Sequence, residues 1–586
     1  MNYKTPGVYV EEISLLPPSI AQVETAIPAF IGYTEKSTDA NGDNLSNVPT
    51  RIKSFLEYKD WFGGAHNQNL AVTLEDTTPF AAKSVAIDGA ASPYNMYYAM
   101  QMFFANGGGP CYIVSVGDYD PDSPEPSLDL IDDYNELKGG LDAIKKIDEI
   151  TLIVFPEAIR LTDDLKGTLY KDALLQCHNL QDRFSIFDVS EHDTDGAIFR
   201  NGIGNQYLNY GAAYYPHLKT TLAYHYIESS VKFVSASAVF NDFTMEQIST
   251  LADTLNNQAL IDASVVVFED AKEASEVGDI TPAEKAALCN VMLKATEKIS
   301  DNIQEAFDLA ETPFDNPNKT SGDEKLTDAQ NENDVDAKID DLVEAKDFYK
   351  DSILEIIVKI NADTTTLLAD NPTVLETYTN SYITELKSLL STFTVNMPPS
   401  PIAAGIYAKV DETRGVWKSP ANVSINTVSG PAVKIDNIDN DSFNVHPTGK
   451  SINVIRSFTG KGTLVWGART LDGNSNEWRY VSVRRFFIMA EESIKKASER
   501  FVFEPNDANT WVKVKAMIEN FLILQWRAGA LMGAKPNEAF YVKVGLGETM
   551  TPDDVYNGRM IIEIGLSVVR PAEFIILRFS HKMLEA

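Results

Sequence analysis

Residues 455–485 read IRSFTGKGTLVWGARTLDGNSNEWRYVSVRR, and the strand and helix patterns that follow to residue 586 are organised around this stretch. It combines two tryptophans with five arginines on either side of a glycine-rich turn, GKG at 460–462. Arginine and tryptophan are typical anchors of protein interfaces. The stretch is therefore predicted to lie where the chain meets a specific partner.

Two other readings of this stretch are weaker. A phosphate-binding loop requires GxxxxGK[ST] between a strand and a helix, but here Ile455 occupies the position of the first glycine and a strand pattern follows. Arginines and tryptophans could also stack on single-stranded nucleic acid. The acidic neighbours of these arginines favour a protein interface, and the glycines are predicted to form a tight hairpin turn.

Charge is distributed unevenly along the chain. The 586 residues contain 50 Lys and Arg against 84 Asp and Glu, a formal charge of −34. Residues 450–586 hold 19 Lys and Arg against 15 Asp and Glu, so the acidic excess lies in the first 449 residues. Binding to nucleic acid or to an anionic membrane needs a basic face. No nucleic-acid partner is expected.

The cysteines and the hydropathy pattern bear on where the protein is made. Three cysteines without a CxxC motif, Cys111, Cys177 and Cys289, are too few for a disulfide framework. The N-terminus lacks the pattern of a secretory signal, and no apolar run reaches about 18 residues. We therefore expect assembly in a cytoplasm, without direct membrane insertion.

Four regions are predicted. Residues 1–25 form an N-terminal arm, whose strand 7–14 is separated from the rest by Pro17 and Pro18. Residues 26–221 alternate strands with 10- to 15-residue helices, which indicates an α/β domain with a mainly parallel sheet. Residues 222–397 are acidic, mainly helical and look inserted, with a polar loop at 311–334.

The fourth region, 398–586, is predicted to be an α+β domain. Its strongest signals are helices over 482–499 and 509–531, strands at 540–544 and 560–569, and a final strand at 573–581 set off by Pro571. Both termini thus carry a short apolar strand next to proline. Such a strand is either frayed or adds to a sheet of another subunit.

No catalytic, cofactor or metal site is predicted. The chain has no GxSxG or HExxH motif, its seven histidines are scattered, and no Cys/His spacing matches a zinc site. Adjacent Cys177 and His178 on a predicted helix diverge, so they do not form a dyad.

Several segments resemble one protein family. They are TPGVYVEEI (5–13), FFANGGGPCYIVSV (103–116), AAYYPHLK (212–219), AGIYAKVDETRGVWKSPAN (404–422), LVWGARTL (464–471), WRYVSVRRFF (478–487) and LQWRAGALMG (524–533). These segments are similar to those of the tail sheath proteins of contractile phages and related contractile injection systems.

This resemblance implies a fold and a function. The expected fold is multidomain: a subtilisin-like α/β domain without protease chemistry, the acidic insertion on the outside, and a C-terminal assembly domain with strand-exchanging arms. The expected function is a non-enzymatic sheath of stacked six-fold rings that contracts to drive an inner tube through a target membrane. The implied partners are further copies of the chain, the inner tube protein, and baseplate and terminator or cap proteins. The particle, a phage tail or a tail-like particle, would be assembled in the bacterial cytoplasm, and release from the cell is one outcome.

Two sets of residues carry the expected assembly contacts. The arms comprise Gly7, Val8, Tyr9, Val10, Glu11, Glu12, Ile13, Phe574, Ile575, Ile576, Leu577, Arg578 and Phe579. Contacts with a tube or a neighbour are expected from Lys513, Lys515, Arg484, Arg485 and Arg527, because the C-terminal region is slightly basic. The alternatives are a degenerate enzyme resembling serine hydrolases and a different polymeric shell protein.

Overall fold

The computed structural model describes residues 20–74, 82–120, 130–234, 244–309, 316–361 and 380–578. The strands are β1 (Pro28–Thr34), β2 (Thr50–Ile52), β3 (Leu70–Leu74), β4 (Ala82–Ile87), β5 (Cys111–Asp118), β6 (Leu152–Val154), β7 (Phe184–Asp188), β8 (Gly211–Tyr215), β9 (Leu218–Ala223), β10 (Val231–Val234), β11 (Thr394–Met397), β12 (Val423–Ser424), β13 (Val428–Pro431), β14 (Asn453–Phe458), β15 (Gly462–Val465), β16 (Phe540–Lys543) and β17 (Glu563–Leu566). None of the helices in these ranges has the length and apolar character that crossing a membrane requires.

The α-helices over the same ranges follow. They are α1 (Phe55–Phe62), α2 (Met96–Ala105), α3 (Leu130–Ala143), α4 (Asp163–Leu180), α5 (Ala197–Gly202), α6 (Met245–Ser275), α7 (Pro282–Asp308), α8 (Pro317–Asn331), α9 (Val335–Asn361), α10 (Asn380–Thr392), α11 (Ser400–Arg414), α12 (Asn437–Asn444), α13 (Val481–Ser498), α14 (Ala508–Arg527), α15 (Pro536–Ala539) and α16 (Pro552–Tyr556).

A nine-stranded sheet forms the centre of the molecule, in the order β12-β15-β14-β8-β7-β6-β1-β5-β2. Strands β14, β8, β7, β6, β1 and β5 pair in parallel, and antiparallel strands lie at both edges. Every residue of β1 and β7 is buried, as expected for parallel strands covered on both faces. The predicted α/β architecture is confirmed, with the doubly wound order β5-β1-β6-β7-β8; the likeness to subtilisin stays a prediction.

The large sheet crosses the boundary predicted between residues 221 and 398. Strands β12, β14 and β15 come from the predicted C-terminal region, and helix α11 packs its buried Ile402 and Tyr407 into the core of the sheet. The proline-rich segment that suggested this boundary instead starts α11, with Pro401 in its first turn. Long-range parallel pairing leaves no local sequence signal. The sequence therefore could not show that strands after residue 398 share a sheet with strands before residue 221.

Residues 224–393 form an excursion between two strands that belong to one small sheet. The chain leaves after β9 and returns as β11, and both lie in the sheet β11-β9-β13. Helices α6 to α9 share a core of their own. A further sheet, β10-β3-β4, brings residues 70–87 beside this excursion, so part of the predicted 26–221 domain packs with it.

The polar loop predicted at 311–334 is a helix over Pro317–Asn331, so the prediction is wrong there, and residues 311–315 lie outside the described residues. The side chain of Asn316 accepts a hydrogen bond from the Lys319 amide at 2.9 Å, Pro317 occupies the first turn, and α8 continues to Asn331. Leu326 is buried against the excursion core. A few apolar contacts on one face are enough to hold a helix that is polar elsewhere.

The last third of the chain has a second core, built mainly from α13, α14 and β16. The helices predicted at 482–499 and 509–531 and the strands predicted at 540–544 and 560–569 are confirmed as α13, α14, β16 and β17. The strand predicted at 573–581 is not formed over residues 573–578, and residues 579–581 lie outside the described residues. Ile20, the first described residue, is buried in the same core. Ile20 therefore packs on the C-terminal part of the molecule.

Candidate functional site: the roots of the two terminal segments

The C-terminal segment leaves the molecule as an exposed, unpaired stretch. Residues 571–578 form no strand within the described chain. Four consecutive apolar side chains are exposed by 70–79%: Phe574, Ile575, Ile576 and Leu577. A run of this kind on a protein surface marks an interaction site. Arg578 is exposed beside them, and Phe579 lies outside the described residues.

Glu573 fixes the start of this segment. Arg469 donates from Nε to Glu573 Oε1 at 2.9 Å and from Nη2 to Oε2 at 2.6 Å. Asn444 Nδ2 donates to Oε1 at 2.7 Å, and the Tyr480 hydroxyl donates to Oε2 at 3.1 Å. We call these four residues the Glu573 clamp. A carboxylate held by a bidentate arginine and two further donors is fixed in both position and orientation.

The electrostatics of the clamp favour the charged carboxylate. Burial raises the pKa of Glu573, but the hydrogen bonds from Arg469, Asn444 and Tyr480 outweigh it, so the net shift is downward. The side chain of Arg469 is 5% exposed and that of Glu573 is 21% exposed. Partial burial strengthens this ion pair relative to one on the surface.

Arg469 is itself held to the large sheet. Its backbone N–H donates to Asn453 Oδ1 at 2.7 Å, and its carbonyl accepts from Asn453 Nδ2 at 2.8 Å. Asn453 is the first residue of β14, in the central sheet. Arg469 also pairs with Tyr480 in an isolated antiparallel bridge. The clamp therefore connects the C-terminal segment to the central sheet.

The N-terminal segment is fixed by a second arginine. Arg485 Nη2 donates to the Thr25 carbonyl at 2.7 Å, and Nη1 donates to Asp411 Oδ1 at 3.0 Å. The Thr25 hydroxyl donates to Asp411 Oδ2 at 2.6 Å, and the Val23 amide donates to Ser493 Oγ at 3.1 Å. We call Arg485, Asp411 and Thr25 the Arg485 triad. The predicted arm residues Gly7 to Ile13 lie outside the described residues.

Arg484 and Arg485 lie elsewhere than the sequence suggested. Both were expected to face a tube or a neighbour, yet their side chains are 4% and 3% exposed. Arg484 pairs with Glu491 at 2.8 Å and stacks on the ring of Trp478. Arg485 lies over the ring of Tyr407. Both guanidinium groups are buried and paired within their own chain, so these two side chains are not surface contacts.

The other expected contact residues lie on α14. Lys513 and Arg527 are exposed, whereas Lys515 is half-buried. Exposed apolar Val512 and Leu524 lie on the same helix. Contact between this helix and a tube or a neighbour stays a prediction.

Other residues of the stretch 455–485 form turns and packing contacts within this chain. Gly460 and Gly462 have φ of 77° and 76° in the turn between β14 and β15, a conformation that glycine adopts without strain. Trp478 packs against Phe487. The predicted hairpin is confirmed.

The described residues contain one cluster that resembles catalytic machinery. Lys166 donates to Asp163 Oδ1 at 2.8 Å and to the hydroxyl of Ser190, while His192 Nε2 lies 3.0 Å from Asp163 Oδ2. Lys166 and Ser190 are buried. The adjoining cavity has a volume of about 10 Å³, which holds about one water molecule. This ion-paired lysine has no space beside it for a substrate.

A larger cleft lies beside the Arg485 triad. Its volume is about 380 Å³, and residues 22–25, Phe184 and Ile488 are among those that line it. None of its lining residues is Ser, Cys or His. Within the described ranges, no three His, Cys, Asp or Glu residues converge to hold a metal ion.

Sequence reasoning missed Glu573, Asp411 and Thr25. A glutamate directly before an apolar run and shortly after a proline is the one local signal that could have identified Glu573. No local pattern connects Thr25 with residues near 411 and 485.

Comparison with known proteins gives a consistent result. The family model for the phage tail sheath C-terminal domain matches residues 474–582. A prophage major tail sheath protein of Pseudomonas aeruginosa (strain UCBPP-PA14) is 28% identical over 116 residues, 20% of this chain and 30% of the relative. The tail sheath protein of Vibrio phage KVP40 is 25% identical over 180 residues, 30% of this chain and 25% of the relative. Each alignment thus spans less than a third of the relative.

Structural similarity extends over the whole chain. The helical sheath of the anti-feeding prophage in its contracted state superimposes with a TM-score of 0.53 and 25% identity, covering 99% of this chain and 100% of that one. The matched C-terminal domain contains Tyr480, Arg485 and Glu573, three residues that fix the terminal segments. The C-terminal part of the chain is thus similar to the C-terminal domain of phage tail sheath proteins, and the whole chain is similar in fold to a contractile sheath protein.

Proposed function

We propose that this protein is a structural subunit of a contractile sheath. In this proposal, copies polymerise as stacked six-fold rings around an inner tube, and contraction drives the tube through a target membrane. The observation that carries the proposal is the exposed run 574–577, which directly follows Glu573, a residue held by the side chains of Arg469, Asn444 and Tyr480. Because Glu573 is fixed and the apolar run 574–577 is unpaired within the described chain, this run is suited to add as a strand to a sheet of another copy.

The receiving surface in this proposal is the two-stranded antiparallel sheet β16–β17. It is a sheet of two strands, so each strand has one neighbour within the described chain. Open edges present unpaired N–H and C=O groups to another strand. A two-stranded sheet is only marginally stable alone, so an added strand from a second copy would stabilise it. Residues 7–13 are proposed to act in the same way at the other end of the chain.

Charge suggests how the subunit is oriented in the sheath. The acidic excursion between β9 and β11 is proposed to face outward, where charge keeps a large particle soluble. Helix α14 with Lys513 and Arg527 is proposed to face the tube or a neighbour. Baseplate and terminator or cap proteins complete the set of proposed partners, and assembly is proposed to occur in the bacterial cytoplasm.

The proposed subunit performs no catalysis. The cavity beside the buried cluster at Lys166 and Ser190 has a volume of about 10 Å³, and no Ser, Cys or His lines the larger cleft. Contraction in this scheme uses energy stored in the packing of the lattice at assembly. The rival function, a degenerate hydrolase, would have to use the Lys166 cluster, whose Ser190 is buried.

Negative-stain microscopy of the purified chain tests the proposal. We expect tubes of constant width, with or without an added inner tube protein. Covalent labelling of a serine by an activity probe, lost on a single substitution, would instead favour the hydrolase. A protein that stays monomeric over the whole accessible concentration range would contradict the sheath function.

A further inference from the structure

The Glu573 clamp and the Arg485 triad belong to one short segment. Arg469 and Arg485 are separated by sixteen positions, and the chain between them folds back on itself. The Thr470 amide donates to the Arg479 carbonyl at 2.9 Å, and the Val481 amide donates to the Ala468 carbonyl at 3.0 Å. These bonds close residues 468–481 into a loop, and α13 begins directly after it.

Each end of this segment binds the residue from which one terminal segment extends, either Glu573 or Thr25, which we call the root of that segment. Each end also contacts a different part of the body. Arg469 joins Glu573 to β14 of the central sheet through Asn453. Arg485 joins Thr25 to α11 through Asp411. The two roots are thereby fixed relative to each other through residues 469–485. The exposed residues of the terminal segments take no part in these contacts.

Fold stability alone does not call for these pairs. Replacing a buried ion pair by apolar residues of similar volume is often neutral or stabilising, and the exposed tail 574–578 adds nothing to the core of its own chain. A buried ion pair with several donors does fix one geometry, because its directional bonds allow few alternatives. The pairs therefore suit a task in which the direction of the outgoing segments matters.

We propose that Arg469 and Arg485 are positioning residues, which hold the C-terminal and N-terminal arms at the two ends of one rigid segment, residues 469–485. We call this arrangement the mooring of the arms. Tension on one arm then passes to the other through residues 469–485. This inference rests on the proposed sheath function, because it assigns the segment the task of keeping linked subunits connected while the lattice rearranges.

A spin-label experiment tests the mooring by measuring the mobility of the chain next to Glu573. Ala572 is exposed and next to Glu573, and Cys111, Cys177 and Cys289 are buried, so a nitroxide on Ala572→Cys is selective. We compare the labelled chain with the same chain carrying Glu573→Gln. The control is Arg559→Gln, which removes an ion pair to Asp554 whose arginine side chain is 61% exposed.

The expected results separate positioning from general stability. Glu573→Gln should increase label mobility in the monomer and raise the concentration needed for polymerisation about tenfold or more, because a freed root must be ordered at each docking event. Thr25→Val, which removes one bond of the Arg485 triad, should raise the same threshold. Arg559→Gln should change neither quantity. Thermal unfolding of the monomer should be unchanged in Arg559→Gln and Thr25→Val, whereas Glu573→Gln leaves Arg469 without its anion and should lower the unfolding temperature.

Two outcomes would overturn the mooring. One is an immobile label in Glu573→Gln, and the other is an unchanged polymerisation threshold in a chain whose parent does polymerise. If Glu573→Gln lowers the unfolding temperature, Asn444→Ala decides, since it removes one donor and leaves Arg469 paired. A parent that never polymerises would contradict the sheath function, while label mobility would still test the mooring.

Discussion

Replacing Arg485 by methionine distinguishes a role within the chain from a role at an interface. Methionine keeps much of the apolar volume over Tyr407 but leaves the Asp411 carboxylate without its cation. The side chains of this pair are 3% and 6% exposed. Removing one partner of a buried pair costs about 3–5 kcal/mol. Because the Thr25 hydroxyl still donates to Asp411, we expect a loss of about 3 kcal/mol, near the lower limit.

Urea unfolding followed by tryptophan fluorescence measures this loss. Five of the six tryptophans lie between residues 417 and 526, so the signal reports on the part of the chain that contains Arg485. At a slope of about 3 kcal/mol per molar urea, the midpoint should fall by about 1 M. The exposed Arg527→Met is the matched control and should change stability by less than about 0.5 kcal/mol.

A double variant sharpens the result. Arg485→Met together with Asp411→Leu removes both charges, and it should recover part of the lost stability because no buried carboxylate remains unpaired. If Arg485→Met unfolds like the parent but no longer polymerises, Arg485 acts at an interface and the reasoning from its burial is refuted.

Two further predictions concern pH and assembly. Burial raises the pKa of Glu157 to about 8 despite nearby Arg160; the folded state then keeps a proton that the unfolded state releases, so stability falls as pH rises from about 5 to 8. In Glu157→Gln this fall should be smaller by up to about 4 kcal/mol, measured by urea unfolding at both pH values, and an identical pH dependence would contradict the assignment. Charge reversal at Lys513 and Lys515 should shorten or abolish sheaths formed on the tube, whereas unchanged sheath length in micrographs would remove α14 from that contact.

Local patterns predicted the elements better than their arrangement. β1, β7, α13 and α14 follow from alternation or helical spacing, because each buries a regular set of apolar side chains. The joining of β14 to β8 could not be predicted, since parallel pairing between residues about 240 positions apart leaves no periodic signal. Helix α8 was missed because its few buried residues contribute little to a polar sequence.

The candidate site shows the same division. The apolar run 574–577 and its isolation by proline were visible in the sequence, and so was the concentration of arginines at 455–485. Their destinations were not visible, because an arginine at an interface and an arginine in a buried pair have the same sequence signature. Arg485 required its partners Asp411 and Thr25 to be located in space before its role could be assigned.

Cryo-electron microscopy of the assembled polymer tests the central claim most directly. The account predicts density for residues 574–578 as a strand that pairs with an open edge of β16–β17 in a neighbouring copy, with Glu573 still bound to Arg469 of its own chain. Density that places residues 574–578 only against their own subunit, in a polymer held together by other surfaces, would contradict it.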